Sequence, residues 1–266
     1  MLMAVNIGNS RISVGIFEDS CLCAKFQIAT DLYKTSDEYL TLFRSLLGEH
    51  NISKISVTEG ILSSVVPQLT DTVKEAITQI VGKIPLTVGP GVKTGFPIKI
   101  DTPSELGGDI VADVAAVLHS LKRAGQVKTA AVVAHMGTVT TVSAINKNGE
   151  FIGCSIFPGV RLSLEALHGK TAQLPNVSLF EPERVIAKNS QDSVRSGVIH
   201  GHAMMLDGFV GRFAKEMKCH PEEMALFITG KDAKYVTQSC KRAFVFEEDL
   251  TLHGLYVLFC NATQNT

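Results

Sequence analysis

Apolar positions recur along this chain with two periods, and the switches between them mark its elements. Val5-Asn6-Ile7 runs into Gly8-Asn9-Ser10 and leaves through Arg11-Ile12-Ser13-Val14-Gly15, two short strands about a tight turn. Glu18-Asp19-Ser20 is a turn signal, and the run from Cys21 to Ala29 predicts a third strand. The spacing then becomes helical. Tyr39, Leu40, Phe43, Leu46 and Leu47 follow Thr35-Ser36-Asp37-Glu38, a capping-box pattern, and Gly48 is placed to close the helix. Ile61-Leu62-Ser63-Ser64-Val65-Val66 predicts a buried strand stopped by Pro67. Leu69, Val73, Ile77 and Ile80 share one face of a helix over 68–81 that ends at Gly82, and 84–88 predicts a further strand. Three meander strands followed by helix–strand alternation predict an α/β domain.

After the Gly/Pro loop Gly89-Pro90-Gly91-Val92-Lys93-Thr94-Gly95, the run Thr102-Pro103-Ser104-Glu105 predicts a helix start. Thr102 suits the cap, Pro103 the first helical position, and the helix extends to about Arg123. Gly107-Gly108 in its early turns would cost roughly 1 kcal/mol each, so close packing is expected there. Asp109 follows at once and shares a face with Asp113; a solvated acidic face is the plain alternative. A second domain is expected from about residue 125, dividing the chain into 1–124 and 125–266. It opens with a β-rich run over 129–133, and Asn148-Gly149 marks a hairpin between strands over 142–145 and 151–156. Helices are expected over 160–167, 190–217 and 250–260, with a strand over 225–228 leading to Thr229-Gly230-Lys231-Asp232. His200 and His202, two apart on a helix, read as surface or packing residues rather than metal ligands.

The first turn has a counterpart in Val132-Val133-Ala134-His135-Met136-Gly137-Thr138-Val139-Thr140-Thr141-Val142. Both read apolar strand, glycine with a polar or hydroxyl residue, apolar strand. Such turns can aim backbone N–H groups at an anion, as in a phosphate cradle. Their half-chain separation predicts two similar domains facing a shared cleft. Two ordinary hairpins without a ligand fit the turns equally well.

Composition narrows the classes. With 266 residues the chain forms one large domain or two ordinary ones. Lys plus Arg number 25 against 26 Asp plus Glu, for a net charge of −1, and no basic cluster stands out. That argues against nucleic acid or an anionic membrane as the main partner. Met1-Leu2-Met3-Ala4-Val5 is apolar without a basic flank and reads as a buried strand rather than a signal peptide. Six scattered cysteines, with Cys21-Leu22-Cys23 lacking a matching pair, suit reduced thiols in a cytoplasmic protein rather than a zinc site.

Taken in order, Asn6-Ile7-Gly8-Asn9-Ser10, Ser63-Ser64-Val65-Val66-Pro67, Gly89 to Gly95 and Pro103-Ser104-Glu105-Leu106-Gly107-Gly108-Asp109 form one series. It continues through Gly137-Thr138-Val139-Thr140-Thr141, Pro158-Gly159-Val160, Leu174-Pro175 and Leu250-Thr251-Leu252-His253-Gly254-Leu255. The series resembles the type III pantothenate kinases, within the acetate/sugar-kinase, heat-shock and actin superfamily, over essentially the whole chain. The resemblance implies two similar actin-like (ribonuclease H-like) domains with mixed sheets and an inter-domain cleft, and usually a homodimer. It implies ATP-dependent phosphorylation of pantothenate, the first step of coenzyme A biosynthesis. By the same resemblance, Asn6, Gly8, Asn9, Ser10, Arg11, Gly137, Thr138 and Thr140 would bind the phosphates of ATP, and Gly230 would lie on the adenosine side. Asp109 would be the general base, and Ile100, Gly107, Gly108, Ile110 and Ser190 would stand at the substrate positions. Magnesium would accompany ATP, and a monovalent cation, potassium or ammonium, would assist its binding.

Departures from the family pattern fall on the chemistry. Asn6 stands where the family has an aspartate, and an amide is a weaker magnesium partner. His135 stands at the aspartate that helps hold the monovalent cation. Ile110 replaces an arginine, Ile100 a frequent tyrosine, Lys231 and Cys154 glycines, and Ser190 a threonine. Three readings therefore compete: a working, divergent pantothenate kinase; an impaired paralogue that pairs with an active relative; and a kinase of the same fold for another small hydroxylated substrate. A non-enzymatic nucleotide-binding protein is the alternative of a different class.

Overall fold

A computed structural model describes residues 1–53 and 56–263. In chain order the strands and helices are β1 (Leu2–Ile7), β2 (Arg11–Glu18), β3 (Cys21–Ala29), α1 (Ser36–Glu49), β4 (Glu59–Ser64), α2 (Pro67–Val81), β5 (Leu86–Thr87) and α3 (Gly108–Arg123). They continue as β6 (Ala131–Met136), β7 (Val139–Ile145), β8 (Phe151–Pro158), α4 (Val160–Lys170), α5 (Ser190–Glu216), β9 (Ala225–Thr229), α6 (Ala233–Val236), β10 (Val245–Phe246) and α7 (Leu250–Thr263).

The strands form two five-stranded mixed sheets of one design. The first runs β3-β2-β1-β4-β5 and the second β8-β7-β6-β9-β10. In each, the first three strands are an antiparallel meander, and the last two lie parallel to the meander's opening strand. The chain therefore carries one topology twice, as two actin-like domains. The copies differ at the first turn: Ile7 pairs with Ile12 around residues 8–11, whereas Met136 pairs with Thr140 around 137–139, one residue fewer.

Contacts divide the chain into two compact units. Met1–Pro97, Asp101–Ser120 and α7 form the first, and Ile98–Ile100 with Leu121–Glu248 the second. This differs from a division at 124/125 mainly in α7. The sequence shows that α7 is apolar but not which sheet it covers. One face of the first sheet, with Val5, Ile7, Val14 and Leu62, packs on Phe43 of α1 and Ile77 of α2. The other face takes α7: Phe17 stacks on Tyr256 at 5.1 Å between ring centroids and meets His253 edge-on at 5.5 Å. Thr251 of α7 donates to Asp113 of α3 at 2.6 Å, so Asp113 is buried in a helix contact and forms no acidic face with Asp109. Asn261 of α7 donates to the Thr94 carbonyl at 2.9 Å, tethering the Gly/Pro loop. In the second unit, Val132, Ala134, Met136, Val142 and Ile228 pack against Val160 and Leu164 of α4 and Val198, Leu206 and Val210 of α5.

Local chemistry sets most of the boundaries. Thr35 and Glu38 close the expected capping box, with Glu38 N donating to Thr35 Oγ1 at 3.3 Å and Thr35 N to Glu38 Oε2 at 2.8 Å. Gly48 lies inside α1, and Asn51 at φ +56° takes the left-handed position after it. Gly82 caps α2 at φ +77°, as expected. Thr102 makes no side-chain cap; Pro103–Glu105 is an isolated 3-10 turn, extended Leu106 follows, and α3 begins at Gly108. No helix among the described residues is long and apolar enough to cross a membrane.

The capping box gives a stability test. Bonds from Thr35 hold the Glu38 carboxyl below its ordinary range. A depressed carboxyl stabilises the fold above its unfolded pKa, and that contribution is lost as pH falls through the folded value. Thr35→Ala is expected to cost about 1 kcal/mol near neutral pH. The cost should shrink in acid, where the parent loses the Glu38 arm as well; urea denaturation near neutrality and below about pH 4 checks both.

Candidate active site

The first glycine turn sits at the carboxyl ends of β1 and β4, where open α/β sheets bind ligands. Gly8 N donates to Arg11 O at 2.9 Å. Thr30, just past β3, braces the turn from behind: its hydroxyl donates to Gly8 O at 2.6 Å and its N–H to Ser10 O at 3.2 Å. Asn9, Ser10 and Arg11 are exposed, and Arg11 is steadied by Gln27 at 2.9 Å.

Beneath the turn, Asn6 stands in register with Ser13 on one side and Ser63 on the other. Asn6 Oδ1 and Ser63 Oγ are both buried without a hydrogen-bond partner. Unpaired buried groups cost roughly 1–3 kcal/mol each, so a water or ligand that bonded this pair would be favoured. The start of α3 comes down directly above. A Cβ on Gly108 would lie 2.8 Å from Ser63 Oγ and 3.3 Å from Val88 Cγ1, and one on Gly107 2.6 Å from Asp109 Oδ1. That close packing is why the sequence has glycines there. Asp109 is half-buried, and its Oδ1 accepts from Ile110 N at 2.8 Å. Ile110 itself is buried and brings no charge. Asn6, Ser63 and Gly108 thus meet, with the Gly8–Arg11 turn following Asn6 in the chain and Asp109 and Ile110 following Gly108.

The second turn is built with main chain where the first uses a side chain. Gly137 N donates to Val139 O at 3.1 Å, and Gly159 N, just past β8, donates to Thr138 O at 3.0 Å. Gly159 packs so closely on the Gly137 and Thr138 carbonyls that an added Cβ would overlap them. Gly230, at φ +96°, lies equally close to the Met136 carbonyl. An ion pair ties these two glycine segments: Arg161 Nε lies 3.1 Å from Asp232 Oδ1, and Asp232 Oδ2 is buried without a partner. His135 is half-buried between Thr141 and Thr229 in register, beside Gly137. Thr138 is exposed. Thr140, expected at the phosphates, is fully buried in register with Met136, and its Oγ1 has no hydrogen-bond partner.

Two expected substrate residues stand elsewhere in the second unit. Ile100 belongs to the 98–100 segment, where Ile98 bridges to Phe151 and Lys99 N donates to Phe151 O at 2.8 Å. Ser190 is the exposed first residue of α5, behind an Asn189 cap. With Leu174, Lys188 and Ser193 it lines an open hollow of about 450 Å³. Sequence reasoning gave no role to Ser63, Thr30, Arg161 or Asp232. Only Ser63 had a signal, its position opposite Asn6 once β1 and β4 are paired.

Two copies of one mixed sheet, each with a glycine turn at its strand ends, define the actin-like fold. The same fold is seen in a candidate 2-dehydro-3-deoxygalactonokinase from Sinorhizobium meliloti, at TM-score 0.60 and 11% identity over 100% of this chain and 98% of that one. It recurs in the ethanolamine utilization protein EutJ from Carboxydothermus hydrogenoformans, at TM-score 0.54 and 13% identity over 96% and 89%. The family profile described as type III pantothenate kinase matches residues 2–212. A type III pantothenate kinase of Citrifermentans bemidjiense is 36% identical over 97% of this chain and 98% of its own, and one of Geobacter sulfurreducens 34% identical over the same shares. The chain belongs to the type III pantothenate kinase family.

Such a kinase uses ATP with a divalent metal. The exposed turns at Gly8–Arg11 and Gly137–Thr138 fit phosphate groups, and the orphaned Asn6 Oδ1 is an oxygen suited to the metal's water shell. At the position of the monovalent-cation aspartate, His135 brings an imidazole, which supplies no anionic oxygen to a hard cation. Among the described residues no cluster of three His, Cys, Asp or Glu side chains could hold a metal unaided.

Proposed function

We propose that this protein phosphorylates pantothenate with MgATP and does so without a bound potassium or ammonium ion. What supports this reading is the close packing of Gly108, the residue before Asp109, on Ser63, whose register partner Asn6 leads into the braced glycine turn. Asp109 takes the proton from the attacking hydroxyl of pantothenate. The two glycine turns bind ATP phosphates through groups other than the Gly8 and Gly137 N–H, which already donate within the turns, and Gly230 lies on the adenosine side. Asn6 orients the water shell of the magnesium that arrives with ATP. Positioning and electrostatics supply most of the rate, as in other phosphoryl transfers. Gly107 and Gly108 let the start of α3 pack down beside the substrate, and Ile100, Ile110 and Ser190 complete its surroundings. Their lower charge leaves the pantothenate carboxylate to other groups. The working form is a cytoplasmic homodimer.

The test is phosphopantothenate formation by the purified chain, with potassium present or replaced by sodium. Turnover is expected in both, within about a factor of two. Strict potassium dependence would overturn the cation-free reading. A second reading, an impaired subunit that needs an active paralogue, is favoured by the joint change at Asn6, His135 and Ile110. ATP binding without turnover, with activity appearing only on adding a paralogue, would establish it.

A further inference from the structure

We propose that His202 is a positioning residue for the second phosphate turn. The proposal rests on the reading that Gly137–Thr138 binds nucleotide phosphate.

His202 is buried in α5, at 2% exposure. Its Nδ1 lies 2.7 Å from Val198 O, one helical turn back, and its Nε2 lies 3.0 Å from Pro158 O at the end of β8. Both carbonyl oxygens only accept, so the ring bonds Pro158 in a form with a proton on Nε2, and bonds Val198 as well only when both nitrogens carry one. The next residue is Gly159, whose N–H holds Thr138 O at 3.0 Å and whose backbone presses on both turn carbonyls. A continuous path therefore runs from the imidazole through Pro158 and Gly159 to the turn. Phe157 packs on the ring at 5.7 Å between centroids and stacks on Phe209 at 5.7 Å, which fixes the ring plane. The imidazole is thus an anchor between the longest helix and the arm that sets the turn. Gly159 has no side chain, so its position is set by its neighbours: Val160, buried in the core, on one side, and Pro158, in register with Val139 and bonded by His202, on the other. A misplacement of about 1 Å at a binding group can cost up to ~100-fold in rate.

Three variants test this. His202→Phe keeps the ring volume and removes the donor; His202→Gln keeps a donor; Val210→Ala is a cavity control, fully buried in the same helix. We expect His202→Phe to raise KM for ATP about tenfold, with KM for pantothenate unchanged and kcat within about threefold. ADP affinity should fall by the same factor and adenosine affinity stay level, because the loss is confined to phosphates. His202→Gln should recover most of the ADP affinity. Val210→Ala should lower Tm and leave KM for ATP alone. If His202→Phe folds poorly, His202→Met, also without a donor but more adaptable, is expected to show the same ADP-specific loss. An unchanged KM for ATP, or equal weakening of ADP and adenosine, would overturn the proposal. Wild-type protein that binds no ADP would instead overturn the site reading beneath it, and the proposal with it.

Discussion

Asp109→Asn lowers kcat for pantothenate phosphorylation by about 10²–10⁴-fold, the usual range for losing a general base, and leaves ATP affinity and Tm unchanged. The expectation follows from the local geometry. The carboxyl bonds Ile110 N through Oδ1 at 2.8 Å, and an amide oxygen can keep that bond. Gly107 leaves 2.6 Å between its would-be Cβ and the same oxygen, and asparagine fills that space identically. What the amide lacks is the capacity to take a proton. Steady-state turnover together with ATP titration of the variant checks the split. A variant retaining more than about a tenth of the parental kcat would remove Asp109 from the base role.

Gly254→Ala is the substitution expected to damage the fold most. Gly254 of α7 lies against the backbone of Ala112 in α3, and an added Cβ would overlap the Ala112 carbonyl oxygen. Backbone does not give way as a flexible side chain does. A stability loss of about 3 kcal/mol or more is therefore expected, at the upper end of overpacking costs. The effect also reaches the site, because α3 carries Asp109 and is fastened to α7 by Thr251 and Asp113. Gly197→Ala in α5 is the matched control, since nothing lies within 4 Å of its added Cβ. It should gain about 0.5–1 kcal/mol from lower unfolded-state entropy and better helix propensity. Urea denaturation compares the two, and equal stabilities would refute the packing argument.

The elements that were legible in the sequence are those whose cause is local. The strands around Gly8 and Gly137, the Thr35 capping box and the Gly82 cap depend on residues within a few positions, and all form as read. The glycine pair before Asp109 was legible as a demand for close packing. What it packs on, Ser63 and Val88, emerged only with the strand pairing. Where several weak signals competed, tertiary structure decided. Thr102 has the chemistry of a cap, yet α3 starts at Gly108, where the glycines let the helix descend onto β4. Thr140 looks like one more turn hydroxyl, but the shorter second hairpin puts it in register with buried Met136. α7 could not be assigned to a unit from sequence because an apolar helix carries no address. Its partners, Phe17 and Asp113, are far back along the chain.

The two turns differ in how they can evolve. The first is braced by the hydroxyl of Thr30, a group that single substitutions can shorten, lengthen or delete in small steps. The second is braced by the main chain of Gly159, where any side chain collides. One copy of the duplicated fold is thus open to gradual drift, while the other changes only through insertion, deletion or movement of whole segments. At the two braces themselves, substitutions should therefore be tolerated at Thr30 and not at Gly159.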